Sequence, residues 1–508
     1  MNKLFLLVGS LWTLLFSGNR ENEITIHGIV KNSGQEYVTL NYQPRFRGAL
    51  SFEGYHTAGA EIDNKGLFSL KTGNITDGAE YYLDFDKKII RLVLFPDDRL
   101  RIEADLNNLA ESIFVTGKGA GKINVLHLPQ FDYKLIDTNL NLDEFVTKNQ
   151  STIATRLALL EAIYKKQPDA GIIADAANRA KLLRIIKDTP LSRKEYEWLK
   201  ADTEIQRYLI SDYISATSAV EDYGNSIINP DSALFSAFKE EGYRNILNIN
   251  HFHFGNAIDQ ILKFEYIKVK LKENPQLIFK EWNTALQDRQ YSKWAEAYLK
   301  SRFQPEVHDK YYADITSWLM TIGDFDFDEQ SYQYLKDNAT DKKYQQCIDA
   351  FKKQLDIGLN DPIYNLGTKA QELDKAGFDT LTEHYKGKNV LFVFWSAQYA
   401  GSSVVQSLPV INYLQKKYGL EVINICIDKS EYKKLWAARI IDSQWKGRHF
   451  FMPIETNANT LDAFGAKNIA SFCSGGAIYT LLSKSGKIQG NISRPTVLTK
   501  DKLTEFLK

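Results

Sequence analysis

Cysteine is scarce in this chain: three in 508 residues, at Cys347, Cys426 and Cys473. Oxidising compartments favour even-numbered disulfide frameworks in small domains, so three distant thiols do not suggest one, and stability must come from packing. Net charge is lacking too. Lys+Arg and Asp+Glu are equal at 63 each, so no long-range field draws nucleic acid or an anionic membrane, and no basic stripe stands out. Nucleic acid is not an expected partner. Phosphate loops, serine-hydrolase elbows and zinc-protease motifs are missing as well. His251 and His253 in "NHFHFG" lack any Cys, His or carboxylate cluster at ligand spacing, so neither metal nor cofactor is expected.

What is present supports real cores: 44% hydrophobic and 12% aromatic residues, in a length sufficient for about three domains. The start, "MNKLFLLVGSLWTLLFSGNRENE", places Lys3 before an apolar run from Leu4 to Phe16, then small Ser17-Gly18 and a charged segment. That run is short for a membrane span and has the length of a signal-peptide core, so residues 1–21 read as a signal-peptide-like leader. Asn19 stands where a lipidated cysteine would be. The expected location is the cell envelope, periplasmic or outer-membrane-associated, and a retained leader would tether the protein to a membrane.

Residues 22–117 read as a β domain. "EITIHGIV", "EYVTLNY", "LFSLKT", "EYYLDF", "IIRLVLF" and "RLRIEADL" are short β-rich runs separated by turn signals such as "NSG", "DNKG" and "PDD". Their spacing favours a sandwich or barrel. Asp97 and Asp98 read as turn residues, not an acid/base pair, and "FVTGKGAGKIN" (114–124) reads as an exit linker. Residues 121–357 read as helical. Ile153, Leu157, Leu160 and Tyr164 recur at helical spacing, as do Ile348, Phe351 and Leu355. Ser192 with Glu195 three residues later predicts a helix start. Cys347 adjoins the second stripe and reads as buried.

From about residue 362 the pattern alternates. "NVLFVFW" reads as a buried strand, "LPVINYLQKKYG" as a helix ending at Gly419, and "LEVINICID" as a second buried strand holding Cys426. "SEYKKLWAARI" supplies another helix, "GAIYTLLSKSGKIQG" a hairpin, and "KDKLTEFLK" a closing helix. A β-α-β run followed by a hairpin and terminal helix, together with Gly387-Lys388, Phe394-Trp395, Pro409 and Gly486-Lys487-Ile488, resembles the thioredoxin-like disulfide reductases of the bacterial envelope. The whole layout is similar to large exported proteins of Bacteroides-type bacteria. The fold class this implies is multidomain: an N-terminal all-β sandwich or barrel (22–117), an α-helical middle (121–357) and a C-terminal α/β thioredoxin-like unit (362–508).

The chemistry of that family departs here. Its members hold a reactive thiolate at a helix N-terminus, where backbone N–H groups and the helix dipole lower its pKa, and a second cysteine resolves the mixed disulfide. No cysteine lies between Val390 and Gly419, and the positions the resemblance assigns to the motif hold Tyr399, Gly401, Ser402 and Ser403. A hydroxyl cannot exchange a disulfide, and Ser403 with Gln406 reads as a capping box. The family's cis-proline position falls on Ala477 after Gly476, where a trans bond is expected, since a cis bond before a residue other than proline costs about 2.5–4 kcal/mol.

Two functional expectations follow. The first is a non-catalytic binding or scaffold protein of the envelope, whose degenerate groove, formed by Trp395, Tyr399, Gly401, Ser402, Ser403 and Ala477, holds a protein or peptide partner. The alternative is a divergent thiol–disulfide oxidoreductase or peroxidase working through Cys473, the one thiol near this locus.

Overall fold

The computed structural model describes residues 24–43, 57–73, 78–85, 88–131, 142–167, 176–208, 224–232, 235, 238, 253–286, 289–322, 325–357, 369–398, 401–454, 476–493, 495, 498 and 500–507. It is a multidomain mixed α/β chain with N-terminal β sheets, helical regions and a C-terminal sheet.

Eight strands open the chain: β1 (Ile24–Lys31), β2 (Tyr37–Gln43), β3 (Ala58–Glu61), β4 (Leu67–Thr72), β5 (Ala79–Phe85), β6 (Lys88–Leu94), β7 (Arg99–Asp105) and β8 (Phe114–Lys118). They form two four-stranded sheets, ordered β4-β1-β7-β8 and β3-β2-β5-β6. Alternation in sequence becomes alternation in burial: every second residue of β4 and β7 is buried, because successive side chains point to opposite faces. Ile24, Ile26, Leu40, Leu83, Leu92 and Ile102 from both sheets share one core. The "PDD" turn is confirmed: Asp97 has φ 67° and Asp98 accepts the Phe95 N–H at 2.8 Å.

The segment 114–124 is not a linker. It forms β8 and helix α1 (Ala120–Leu126), all of whose residues are buried. Its glycines serve close approach. Gly119 has φ +86°, and a Cβ there would fall 1.9 Å from Asp98 Oδ1.

The longer helices that follow are α2 (Leu142–Tyr164), α3 (Ala176–Asp188), α4 (Arg193–Ile205), α5 (Phe254–Glu273), α6 (Arg289–Arg302), α7 (Pro305–Ile322), α8 (Phe325–Asn338) and α9 (Lys342–Ile357). The predicted stripe of α2 buries Ile153 and Leu160. Ser192 caps α4 with the full capping box: its Oγ accepts the Glu195 N–H, and the Glu195 carboxylate accepts the Ser192 N–H. An aromatic core surrounds α5, with Phe238 stacked on Phe264 at 3.7 Å between centroids.

The C-terminal sheet is built from β9 (Lys369–Glu372), β10 (Val390–Trp395), β11 (Glu421–Asp428), β12 (Arg448–Pro453), β13 (Ile478–Leu482) and β14 (Ile488–Ile492). Its order is β14-β13-β10-β11-β12-β9. Strands β9, β12, β11 and β10 run parallel, while β13 pairs antiparallel with β10 and β14 antiparallel with β13. Helices α10 (Lys375–His384), α11 (Gly401–Tyr418), α12 (Lys433–Asp442) and α13 (Lys500–Leu507) complete it. All six residues of β10 are buried, as expected of a strand covered on both faces. Val390, Phe392 and Phe394 pack with Phe378 and Tyr385 beside α10. Leu391, Val393 and Trp395 face the opposite core, with α11, α12 and Leu503 of α13. That core also takes in Ala313, Leu335, Tyr344 and Ile348 from the helical middle.

Candidate functional site

In open sheets with parallel strands, ligands and chemistry collect at the carboxyl ends of the strands. Here that edge is formed where β10 and β11 end, at Trp395 and Asp428, and where α11 begins, at Gly401. The chain leaving β10 is fastened by Asp428. Ser396 Oγ donates to Asp428 Oδ2 at 2.8 Å, and the Gln398 N–H donates to the same oxygen at 3.2 Å. The Lys429 N–H reaches Oδ1 at 3.1 Å, and the Ala397 N–H also bonds this carboxylate. Gln398 Nε2 then donates to the Tyr432 hydroxyl at 2.9 Å.

Burial pushes the Asp428 carboxyl above its ordinary range, and these hydrogen bonds pull it part of the way back. With 3% of its surface exposed and its oxygens hydrogen-bonded to residues 396–398 and 429, Asp428 fixes the backbone shape of the loop that follows β10. Sequence reasoning passed over it. The available signal was a carboxylate ending a buried apolar strand, level with a strand that ends in a polar turn.

Trp395, one of the expected groove residues, is buried. It is 1% exposed, faces the core between α11 and the sheet, and tilts against Trp445 at 5.3 Å between centroids. β10 is covered on both faces, and Trp395 lies on the one packed against α11 and α12. Ala477 lies just before β13 and is also buried, across from the end of β10, where Phe394 is level with Ile478. Its bond to Gly476 is trans, as expected, there being no cis peptide among the described residues. Gly401, Ser402 and Ser403 form the first turn of α11, and their side chains lie outside the described residues. Tyr399, Cys473 and His251 also lie outside them, as do the leader 1–21 and the side chain of Cys347.

Cys426 is the described thiol, and it sits buried in the middle of β11, level with Trp395. Such a thiol behaves as a small core hydrophobe. Two further anchors hold α11. Val404, Val410, Ile411 and Leu414 pack into the core, and Ser407 hydrogen-bonds the Tyr479 hydroxyl, which burial holds above its ordinary pKa.

Among the described residues no group of three His, Cys, Asp or Glu side chains is arranged to hold a metal ion. No described helix is long and apolar enough to cross a membrane. No protein-family model, no curated protein and no solved structure matches this chain.

Proposed function

We propose that the C-terminal unit is a thioredoxin-like domain that has lost its redox centre. The protein is then a non-catalytic binding or scaffold component of the cell envelope, exported by its leader. One observation carries this reading: the helix start after β10 has no sulfur. The β10-α11-β11 unit, the β13–β14 hairpin and terminal α13 support the fold assignment, in the order the resemblance implies. No cysteine falls between Val390 and Gly419, the stretch where a thiolate would be activated by the helix dipole and free N–H groups.

The partner is a protein or peptide, and the β sheets and helical middle add contact area. Insulin-disulfide reduction and peroxide consumption by the purified protein, compared with Cys473→Ser, test the reading. Thiol-dependent turnover abolished by that substitution would replace it with an oxidoreductase or peroxidase working through Cys473. Affinity purification from native envelopes identifies the partner.

A further inference from the structure

Strands β2 and β3 of one N-terminal sheet pack against helix α11. Glu36 and Tyr37, at the start of β2, lie against the last turns of the helix. A single oxygen, Glu36 Oε2, receives three donors from it: the Tyr418 hydroxyl at 3.0 Å, the Lys417 ammonium at 3.1 Å and the Tyr413 hydroxyl at 3.3 Å. The Tyr37 ring stacks on Tyr413 with centroids 4.5 Å apart, and Lys417 also donates to the Tyr413 hydroxyl. Tyr413 and Lys417 are four residues apart and so neighbours on one helical face. Val410, Ile411 and Leu414 pack into the C-terminal core, and Tyr37, Tyr413 and Tyr418 pack against the edge of that same core. The helix thus contacts both its own sheet and β2.

We propose that Glu36 is the key of an interdomain latch, which closes β2 onto α11 and releases as one cooperative unit. Hydrogen bonds to an ionised carboxylate are about twice as strong as neutral ones, and three of them converge on one oxygen here, so losing Glu36 removes all three together. The joint is partly open to solvent at Glu36 and Lys417, unlike the buried core it borders, and relative motion is the default expectation where a contact between domains is not large and hydrophobic. Burial alone would raise the Glu36 carboxyl, but the bonds from Lys417 and Tyr418 outweigh it and hold it below its ordinary value, keeping it charged at neutral pH. Release would uncover Tyr37, Tyr413, Tyr418 and Lys417 at once.

Amide hydrogen exchange on the full chain tests this. Glu36→Ala is expected to speed exchange in residues 411–418 by about tenfold while leaving α5 unchanged, as a local opening should. Adding Lys417→Met to Glu36→Ala should give no further increase, because both groups act through one contact. Tyr413→Phe keeps the ring and removes one donor, so a smaller rise is expected; this variant decides the matter if Glu36→Ala fails to fold. Unchanged exchange in α11, additive effects of the two substitutions, or an equal rise in α5 would each overturn the latch.

Discussion

Lys122 Nζ lies 2.7 Å from Asp98 Oδ2, and none of the Lys122 side chain reaches solvent. The same ammonium donates to the Gly119 carbonyl at 2.7 Å and to Glu195 Oε1 at 3.3 Å. One buried cation thus joins a turn of the N-terminal sheets to α1 and α4. Removing one partner of a buried ion network leaves charge uncompensated, at about 3–5 kcal/mol. Lys122→Met should lower stability by that order in urea denaturation, and combining it with Asp98→Asn and Glu195→Gln should recover part of the loss. A change below about 0.5 kcal/mol, typical of a surface site, would contradict the assignment.

The other end of α4 is held by Arg91, which pairs with Asp202 at 2.8 Å and Glu80 at 2.9 Å. Between the two ion networks, Trp198 joins Val93, Phe95 and Phe114 in one core. A fragment of residues 22–117 loses both anchors and that apolar cover. It is expected to aggregate or give a collapsed NMR spectrum, while residues 22–208 give dispersed amide signals. Equally dispersed spectra from both fragments would count against the coupling.

His449 supplies a pH prediction. It is fully enclosed, edge-on to Trp445, with Nε2 donating to the Trp445 carbonyl at 3.1 Å in the neutral ring. Burial pushes its pKa down to about 3, against about 6.5 in an unfolded chain. Its contribution is therefore complete above pH ~6.5 and is lost as pH falls towards 3. At pH 5 the loss is about 2 kcal/mol. Between pH 7 and 5, His449→Gln should lose less stability than the wild type by about that amount. His127, held to about 4 mainly by burial, acts with the same sign and remains in the variant. Equal losses in both proteins would contradict the burial argument.

Asp428 carries the opposite sign. Its folded pKa is raised, so its contribution is fully present below the unfolded carboxylate value of about 3.9. That contribution is lost as pH rises through the folded value. Asp428→Asn leaves donors at Gln398 and Lys429 competing for one amide oxygen, and should cost about 1–3 kcal/mol. The gap between wild type and variant should be wider near pH 4 than at pH 7, with faster amide exchange at residues 396–398. A gap that widens on going to pH 7 would refute the sign.

Much of the strand pattern was legible in the sequence because β1, β2, β4 and β7 alternate apolar and polar residues, while β5 and β6 are short runs rich in aromatic or β-branched residues between turn signals. Strand β3, "AGAE", has no β-branched or aromatic residue to announce it, and its place is set by pairing with β2. Strand β8 and α1 were obscured by glycines that permit positive φ and close packing, a demand only the assembled turn at Asp98 reveals. At the candidate site, the helix start and the missing thiols could be read directly. The inward aim of Trp395 could not, because a uniformly apolar strand does not say which face its last residue takes. Ser396 and Asp428 lie 32 residues apart in sequence, and only the parallel pairing of β10 with β11 brings them together.

The account turns on sulfur chemistry being gone from the start of α11. The most direct measurement is reduction of insulin disulfides by the purified protein, with dithiothreitol as electron donor. The account predicts a rate equal to dithiothreitol alone, unchanged by Cys473→Ser. A protein-dependent rate that disappears in Cys473→Ser would contradict it.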